Sequence, residues 1–285
     1  MRKVAVVTDS TAYMPGELKK DLPVYTVPLH LVIGKEMFLD GVTIQPDEFY
    51  TLQQESNVVP TTSLPSPEEF KEQFSKLTAM GYDIICIVIS SGMSGTYNSA
   101  EQARLAMPEA NITVVDSRLT SMGLGFPVIK VAQAARDGAS LQECTALAEK
   151  ACSQSGAIFT VSTLKYLHLG GRINSASAFL GTALNLKPIL ELRDGKIEAM
   201  ERVRTFSKAL DRLVDILVER SAEHSTIRLG YLLAKTMEEA KVLDQKIHSK
   251  VDPHKIIETV FADISPVIGA HTGPGTLGLA YSFDL

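Results

Sequence analysis

The run Ile84-Ile85-Cys86-Ile87-Val88-Ile89, followed at once by Ser90-Ser91-Gly92-Met93-Ser94-Gly95-Thr96, decides the fold class. An unbroken apolar run rich in β-branched residues reads as a strand buried on both faces. The hydroxyl- and glycine-rich stretch after it reads as a loop, and Tyr97 to Met107 as the helix that the loop feeds. The same order recurs at Val4 to Val7, which stops at Thr8-Asp9-Ser10-Thr11. It recurs again at Ile112 to Val115, which ends at Asp116-Ser117-Arg118 before Thr120 to Gly125 and a further helical stretch. Strand, polar loop and helix in repetition predict a mainly parallel sheet. Between the first two strands Ser66, Pro67 and Glu69 spell a capping box, so a helix starts there and Thr61 to Pro65 is expected to be an ordered loop. Two apolar runs between Val24 and Asp40 flank Gly34-Lys35 and predict a hairpin at the edge of the sheet.

The architecture restarts near Gly156, with a strand expected at Ile158 to Val161 and a helix from near Ser175. Lys187 to Leu192 and Lys196 to Val203 are strand-like and are joined by Asp194-Gly195, the signature of a type I′ hairpin. Thr205 caps a helix whose Leu210, Leu213, Val214, Leu217 and Val218 recur at helical spacing, and a strand follows at Ile227 to Leu233. The expectation is an α/β protein of two domains. Residues 1–156 carry a mainly parallel sheet and the polar loops, and residues 157–285 carry a mixed sheet.

With 45% hydrophobic and 21% charged residues, the 285-residue chain suits one large or two ordinary folded domains. A net charge of −5 offers no general attraction to nucleic acid or to anionic lipid, and no stretch has the length of a membrane span. The N-terminus runs from Met-Arg-Lys straight into a strand-like segment, and a cytoplasmic protein is expected. Cys86, Cys144 and Cys152 form no CxxC pair, and the six histidines form no HxxxH or HExxH pair. Neither a disulfide framework nor a metal site is therefore expected.

In open parallel sheets, ligands bind beyond the carboxyl ends of the strands, where helix N-termini point free amides outward. Ser94, Gly95 and Thr96 stand at such a place and can receive a small anion. For any one of these hydroxyls, capping a helix or tightening a turn is the commoner use; several such loops together favour a ligand. Gly92-Met93-Ser94-Gly95 comes close to a nucleophile elbow, but its second glycine is one residue too early for GxSxG, and no acid and histidine pair with it in the sequence. No Walker A ending follows the loop and no GxGxxG follows the first strand, so a nucleotide lacks its usual phosphate cradle. Near the C-terminus, His271 stands in Gly269-Ala270-His271-Thr272-Gly273-Pro274-Gly275, where it is either a solvated loop histidine or a hydrogen-bond partner for a buried carboxylate. Asp9 and Asp116 end strands and are read as Asx-turn residues rather than as an acid/base pair.

Taken in order, Thr8-Asp9-Ser10-Thr11, Thr62-Ser63-Leu64-Pro65-Ser66, Ser90 to Ala100, Asp116-Ser117, Leu169-Gly170-Gly171-Arg172-Ile173, Leu186-Lys187-Pro188-Ile189 and His271-Thr272-Gly273-Pro274-Gly275 span the chain. This set resembles the DegV family, which includes the fatty-acid-binding subunits of bacterial fatty acid kinases. Leu64 stands where the family's TSQPS motif has glutamine. The resemblance implies two α/β domains enclosing an acyl tunnel, with the carboxylate of a long-chain fatty acid held by Thr62 and Ser94 and with His271 in the same network. It further implies that Arg172 lies outside and meets a kinase catalytic subunit, and Arg202, with Arg204 two residues on along a strand, extends that patch. On this reading the chain is a lipid-binding subunit without a cofactor of its own, and the partner makes the acyl phosphate. Two other classes use the same loops: a serine-dependent acyl hydrolase with Ser94 as nucleophile and His271 as base, and a sensor of a small polar anion.

Overall fold

A computed structural model describes residues 2–55, 59–179 and 186–285. The first half runs β1 (Val4–Asp9), β2 (Val24–Val27), β3 (His30–Ile33), β4 (Glu36–Leu39), α1 (Pro46–Glu55), β5 (Thr61–Ser63), α2 (Pro67–Ala79), β6 (Asp83–Val88), α3 (Thr96–Leu105), β7 (Ile112–Asp116), α4 (Ser121–Arg136) and α5 (Leu141–Ser153). The second half continues with β8 (Ser155–Thr160), α6 (Lys165–Leu169), β9 (Ile189–Arg193), β10 (Lys196–Glu201), α7 (Phe206–Ser221), β11 (Ile227–Leu233), α8 (Met237–His248), β12 (Ile256–Asp263), α9 (Pro266–Thr272) and β13 (Leu277–Phe283).

The strands expected from continuous apolar runs form the parallel sheet β2-β1-β6-β7. Every residue of β1 is buried, as a strand covered on both faces requires. The second sheet, in the order β10-β9-β8-β13-β11-β12, is antiparallel except where β11 meets β12. Asp194 (φ 50°) and Gly195 (φ 76°) give the β9–β10 turn the left-handed backbone that a type I′ hairpin needs. The Ser66–Glu69 capping box starts α2, and the Thr205 side chain accepts from the Lys208 amide at the start of α7.

Three expectations are corrected. The hairpin around Gly34 does form, as β3 and β4, but it is not the edge of the parallel sheet, which is β2; it belongs to a separate antiparallel sheet, β4-β3-β5. Its third strand is Thr61–Ser63, expected to be loop; pairing of Thr62 with Leu31 makes it a strand, which a three-residue polar segment does not announce. The segment from Ser175 is a 3₁₀ helix (Asn174–Phe179) within the described residues, and its expected continuation from 180 lies outside them.

Helix α4 lies between the two larger sheets, against β1 on one side and β8, β11 and β13 on the other. One apolar cluster accordingly runs from Val6 and Ile87 through Leu124 and Val128 of α4 to Ala157, Leu232 and Ala280. Residues 156 and 157 both lie in β8. A Cβ on Gly230 would sit 2.9 Å from that of Met122, so the close approach of β11 to α4 depends on a residue with no side chain.

Candidate functional site

A cavity of about 250 Å³ opens beyond the carboxyl end of β6 and draws its walls from both halves of the chain. Ile89, Phe159, Leu232, Ile264, Val267 and Ile268 make it largely apolar. Its polar side chains include Thr62, Ser94, Arg172 and His271, and Gly95 lines it too.

The hydroxyls of Thr62 and Ser94 line this space, each hydrogen-bonded to a second side chain. Strand pairing with β3 fixes Thr62, whose Oγ1 lies 2.8 Å from His271 Nε2. Ser94 Oγ lies 2.8 Å from Oγ1 of the fully buried Thr96, the first residue of α3. The segment just after β5 is docked on the same helix: Ser99 Oγ donates to Pro65 O at 2.6 Å, and a Cβ on Gly95 would meet the Leu64 side chain at 3.1 Å. Leu64 thus packs against the side of Gly95 where a larger residue would carry its Cβ.

His271 is not in a loop. It belongs to the last turn of α9, which Pro266 starts and Gly273 (φ 80°) ends, so helix packing sets the direction of its ring. Burial, and next the Arg172 charge, push its imidazole down to about 4 from the usual 6.5, so it is neutral at pH 7. Its Nδ1 has no hydrogen-bond partner among the described residues and faces Gly170, where a Cβ would come within 2.1 Å. A buried N–H there would have no acceptor, whereas a lone pair costs less and suits the adjacent guanidinium. The hydrogen-bond network thus assigns the proton to Nε2, which donates to Thr62 Oγ1 and leaves the Thr62 O–H to donate into the cavity. Thr96 can back Ser94 in the same way.

Arg172 is half-buried in the cavity wall rather than outside: Nε donates to Met93 O (3.2 Å) and Nη1 to Gly170 O (2.6 Å). Arg202 is exposed beyond the end of β10; it donates to Ala178 O at 3.1 Å and lies 4.7 Å from the centre of the Phe179 ring. Arg202 and Arg204 do not share a strand, although both point outward around the buried Val203. The arrangement expected of a serine nucleophile and its histidine base is not formed among the described residues, because His271 is paired with Thr62 and Ser94 with Thr96. Asp9 Oδ1 accepts from the Thr11 amide at 2.8 Å and Asp116 Oδ1 from the Arg118 amide at 3.1 Å, both turn roles. Among the described residues no cluster of His, Cys, Asp or Glu could hold a metal ion, and no helix is long and apolar enough to cross a membrane.

Sequence reading missed Thr120 and Ser121, which line the cavity at the start of α4, because a hydroxyl before a helix looks like an ordinary cap. It also missed the buried Asp40, which accepts from Ser10 Oγ (2.7 Å) and the Val267 amide (3.2 Å) and so anchors the start of α9.

Scaffold and site together define an α/β protein with an apolar ligand cavity that ends in backed hydroxyl donors. The chain belongs to the DegV family: the family model described as "Uncharacterised protein, DegV family" matches residues 3–284. It is 36% identical to a DegV domain-containing protein of Listeria innocua, over 98% of each chain, and 33% identical to Protein DegV of Bacillus subtilis, over 98% of this chain and 99% of that one. Among solved structures it is similar to a Thermus thermophilus DegV family protein described as fatty acid binding (TM-score 0.92, 33% identity, 99% of this chain and 100% of that one). It is also similar to a stearic acid-binding protein of Eubacterium ventriosum (TM-score 0.87, 26% identity, 99% of this chain and 98% of that one).

Proposed function

We propose that the chain binds a long-chain fatty acid, with the tail in the apolar cavity and the carboxylate on Thr62 and Ser94, and presents that carboxylate to a kinase catalytic subunit. The observation that carries this reading is the convergence, in one apolar cavity, of two hydroxyls that each have a second group able to donate to them. The solved relatives described as binding fatty acid or stearic acid support it.

The energetics divide the labour. Burying a sixteen-carbon tail is worth on the order of 12 kcal/mol gross, at about 0.8 kcal/mol per methylene, before the losses of association. An unpaired carboxylate in the same apolar space would cost several kcal/mol, so the donors must replace its water. Thr62, Ser94 and the Gly95 amide supply them, with His271 and Thr96 behind. A site of two neutral hydroxyls orients the carboxylate without surrounding it, which suits a group that a second protein must reach. In this account Arg172 and Arg202 form the partner-facing side: Arg172 lies two residues before the segment Asn174–Phe179 and is tied to Met93 O and Gly170 O, and Arg202 lies on that segment's end. Nucleotide and metal come with the kinase, and this chain needs no cofactor.

The test is a titration of wild type, Thr62→Ala and Ser94→Ala with stearic acid, followed by incubation with a fatty acid kinase catalytic subunit and ATP. Each substitution is expected to weaken binding about tenfold, the loss of one charge-assisted hydrogen bond. Arg172→Ala is expected to keep the acid but to slow acyl-phosphate formation. Unchanged affinity in both hydroxyl variants would remove the head site, and equal rates with and without Arg172 would remove its partner role.

A further inference from the structure

We infer that the cavity contains a second polar subsite, at the start of α4, which takes an oxygen substituent on the acyl chain; this rests on the fatty-acid reading. Thr120 lines the cavity, is only 8% exposed, and its Oγ1 is buried without a hydrogen-bond partner among the described residues. It occupies the N-cap position of α4 without capping it. The following amides, those of Ser121, Met122 and Gly123, make no hydrogen bond among the described residues, and Leu124 is the first to close the helix, onto Thr120 O at 3.3 Å. Ser121 is 4% and Met122 1% exposed, so this helix end is buried and uncapped at once. Such an end leaves several donors unpaired out of reach of bulk water, and a structure keeps them only when something else uses them. Ser121 also adopts φ 52°, a left-handed conformation that a non-glycine residue enters at a cost.

Of these residues Thr120 and Ser121 line the cavity, and there the helix dipole, the free Ser121 amide and an idle hydroxyl together call for an oxygen. The cavity walls beside them, Ala157, Phe159 and Leu232, are apolar and make a second full charge expensive. The occupant is therefore a neutral oxygen on the chain, a hydroxyl or an oxo group. An oxo group accepts from the amide and from Thr120; a hydroxyl accepts from the amide and can also donate to Thr120 Oγ1. Plain fatty acids leave these groups unpaired, and a chain oxygenated at the right position does not. The subsite thus selects among acyl chains after the head site has selected a carboxylate.

The experiment is isothermal titration of the wild-type chain with stearic acid and with a positional series of monohydroxystearic acids, repeated with Thr120→Val and Thr120→Ser. At least one position is expected to bind about tenfold tighter than stearic acid. The valine variant loses that preference and the serine variant keeps it. A wild-type ranking with every hydroxy acid at or below stearic acid overturns the subsite, and is what a site filled only by water would give. A valine variant with the preference intact overturns it too. In both cases stearic acid still binds and the fatty-acid reading stands; a chain that takes no acyl acid at all overturns both. The wild-type ranking needs no variant to fold.

Discussion

At the scale of single residues, two buried groups give stability opposite slopes with pH. Burial and Arg172 hold His271 at about 4 against an ordinary 6.5, so between those values the unfolded chain takes a proton that the folded chain refuses. Its contribution is complete above pH 6.5 and is lost as pH falls toward 4. His271→Asn should therefore lose stability less steeply than wild type over that range in denaturant titrations, and parallel curves would contradict the assignment. Asp40 runs the other way, because burial raises it to about 7 from 3.8 and the folded chain then keeps a proton that the unfolded chain releases. Its contribution is present below pH 3.8 and is lost as pH rises through 7, so Asp40→Asn should gain on wild type as pH rises from 3.8 to 7. Gly170→Ala tests the site directly: its methyl group would overlap His271 Nδ1, so the ring and the Thr62 bond must shift. Stearic acid affinity should fall about as far as it does in His271→Ala, while circular dichroism stays that of wild type. Much of this scale was legible in the sequence, since Thr62, Ser94, Gly95 and His271 all line one cavity. The neutrality of His271 was not legible, because it depends on burial in the fold and next on Arg172, about a hundred residues away in sequence.

At the scale of elements, the hairpin β9–β10 acts as a prop for the loop after β6 that carries Ser94. Ser90 Oγ donates to Gly195 O at 2.6 Å, and a Cβ on Gly195 would lie 2.4 Å from that Oγ. With φ at 76° as well, Gly195→Ala should destabilise the chain by more than about 1 kcal/mol and also loosen the Ser94 loop. Weaker stearic acid binding together with a lower unfolding midpoint is the expected pair; a lower midpoint with unchanged binding would make the hairpin a structural element only. The Asp194-Gly195 turn was readable because turn chemistry is local. The strand character of Thr61–Ser63 and the helical seat of His271 were not, because the first comes from pairing with β3 and the second from a short helix with a glycine inside it.

At the scale of the whole molecule, α4 and its continuous apolar cluster tie the two larger sheets together. Heat or denaturant should then unfold both halves in one transition, and separate transitions for the two sheets would contradict the shared core. A ligand held between the halves adds to their stability by mass action, about 2.7 kcal/mol at a hundredfold excess over Kd. In a chain of 285 residues that should raise Tm by roughly 4–5 °C. The two-sheet plan was legible because buried strands, turn pairs and capping boxes each leave a local pattern. The cavity was not, because its walls come from residues spread from Leu29 to Thr276 and meet only in the fold.

The most direct test of the central claim is native mass spectrometry of the purified protein, followed by organic extraction and identification of what co-purifies. The account predicts a non-covalent long-chain fatty acid at one per chain, depleted in a Thr62→Ala, Ser94→Ala double variant. A wild-type protein that emerges empty and takes up no added fatty acid would contradict it.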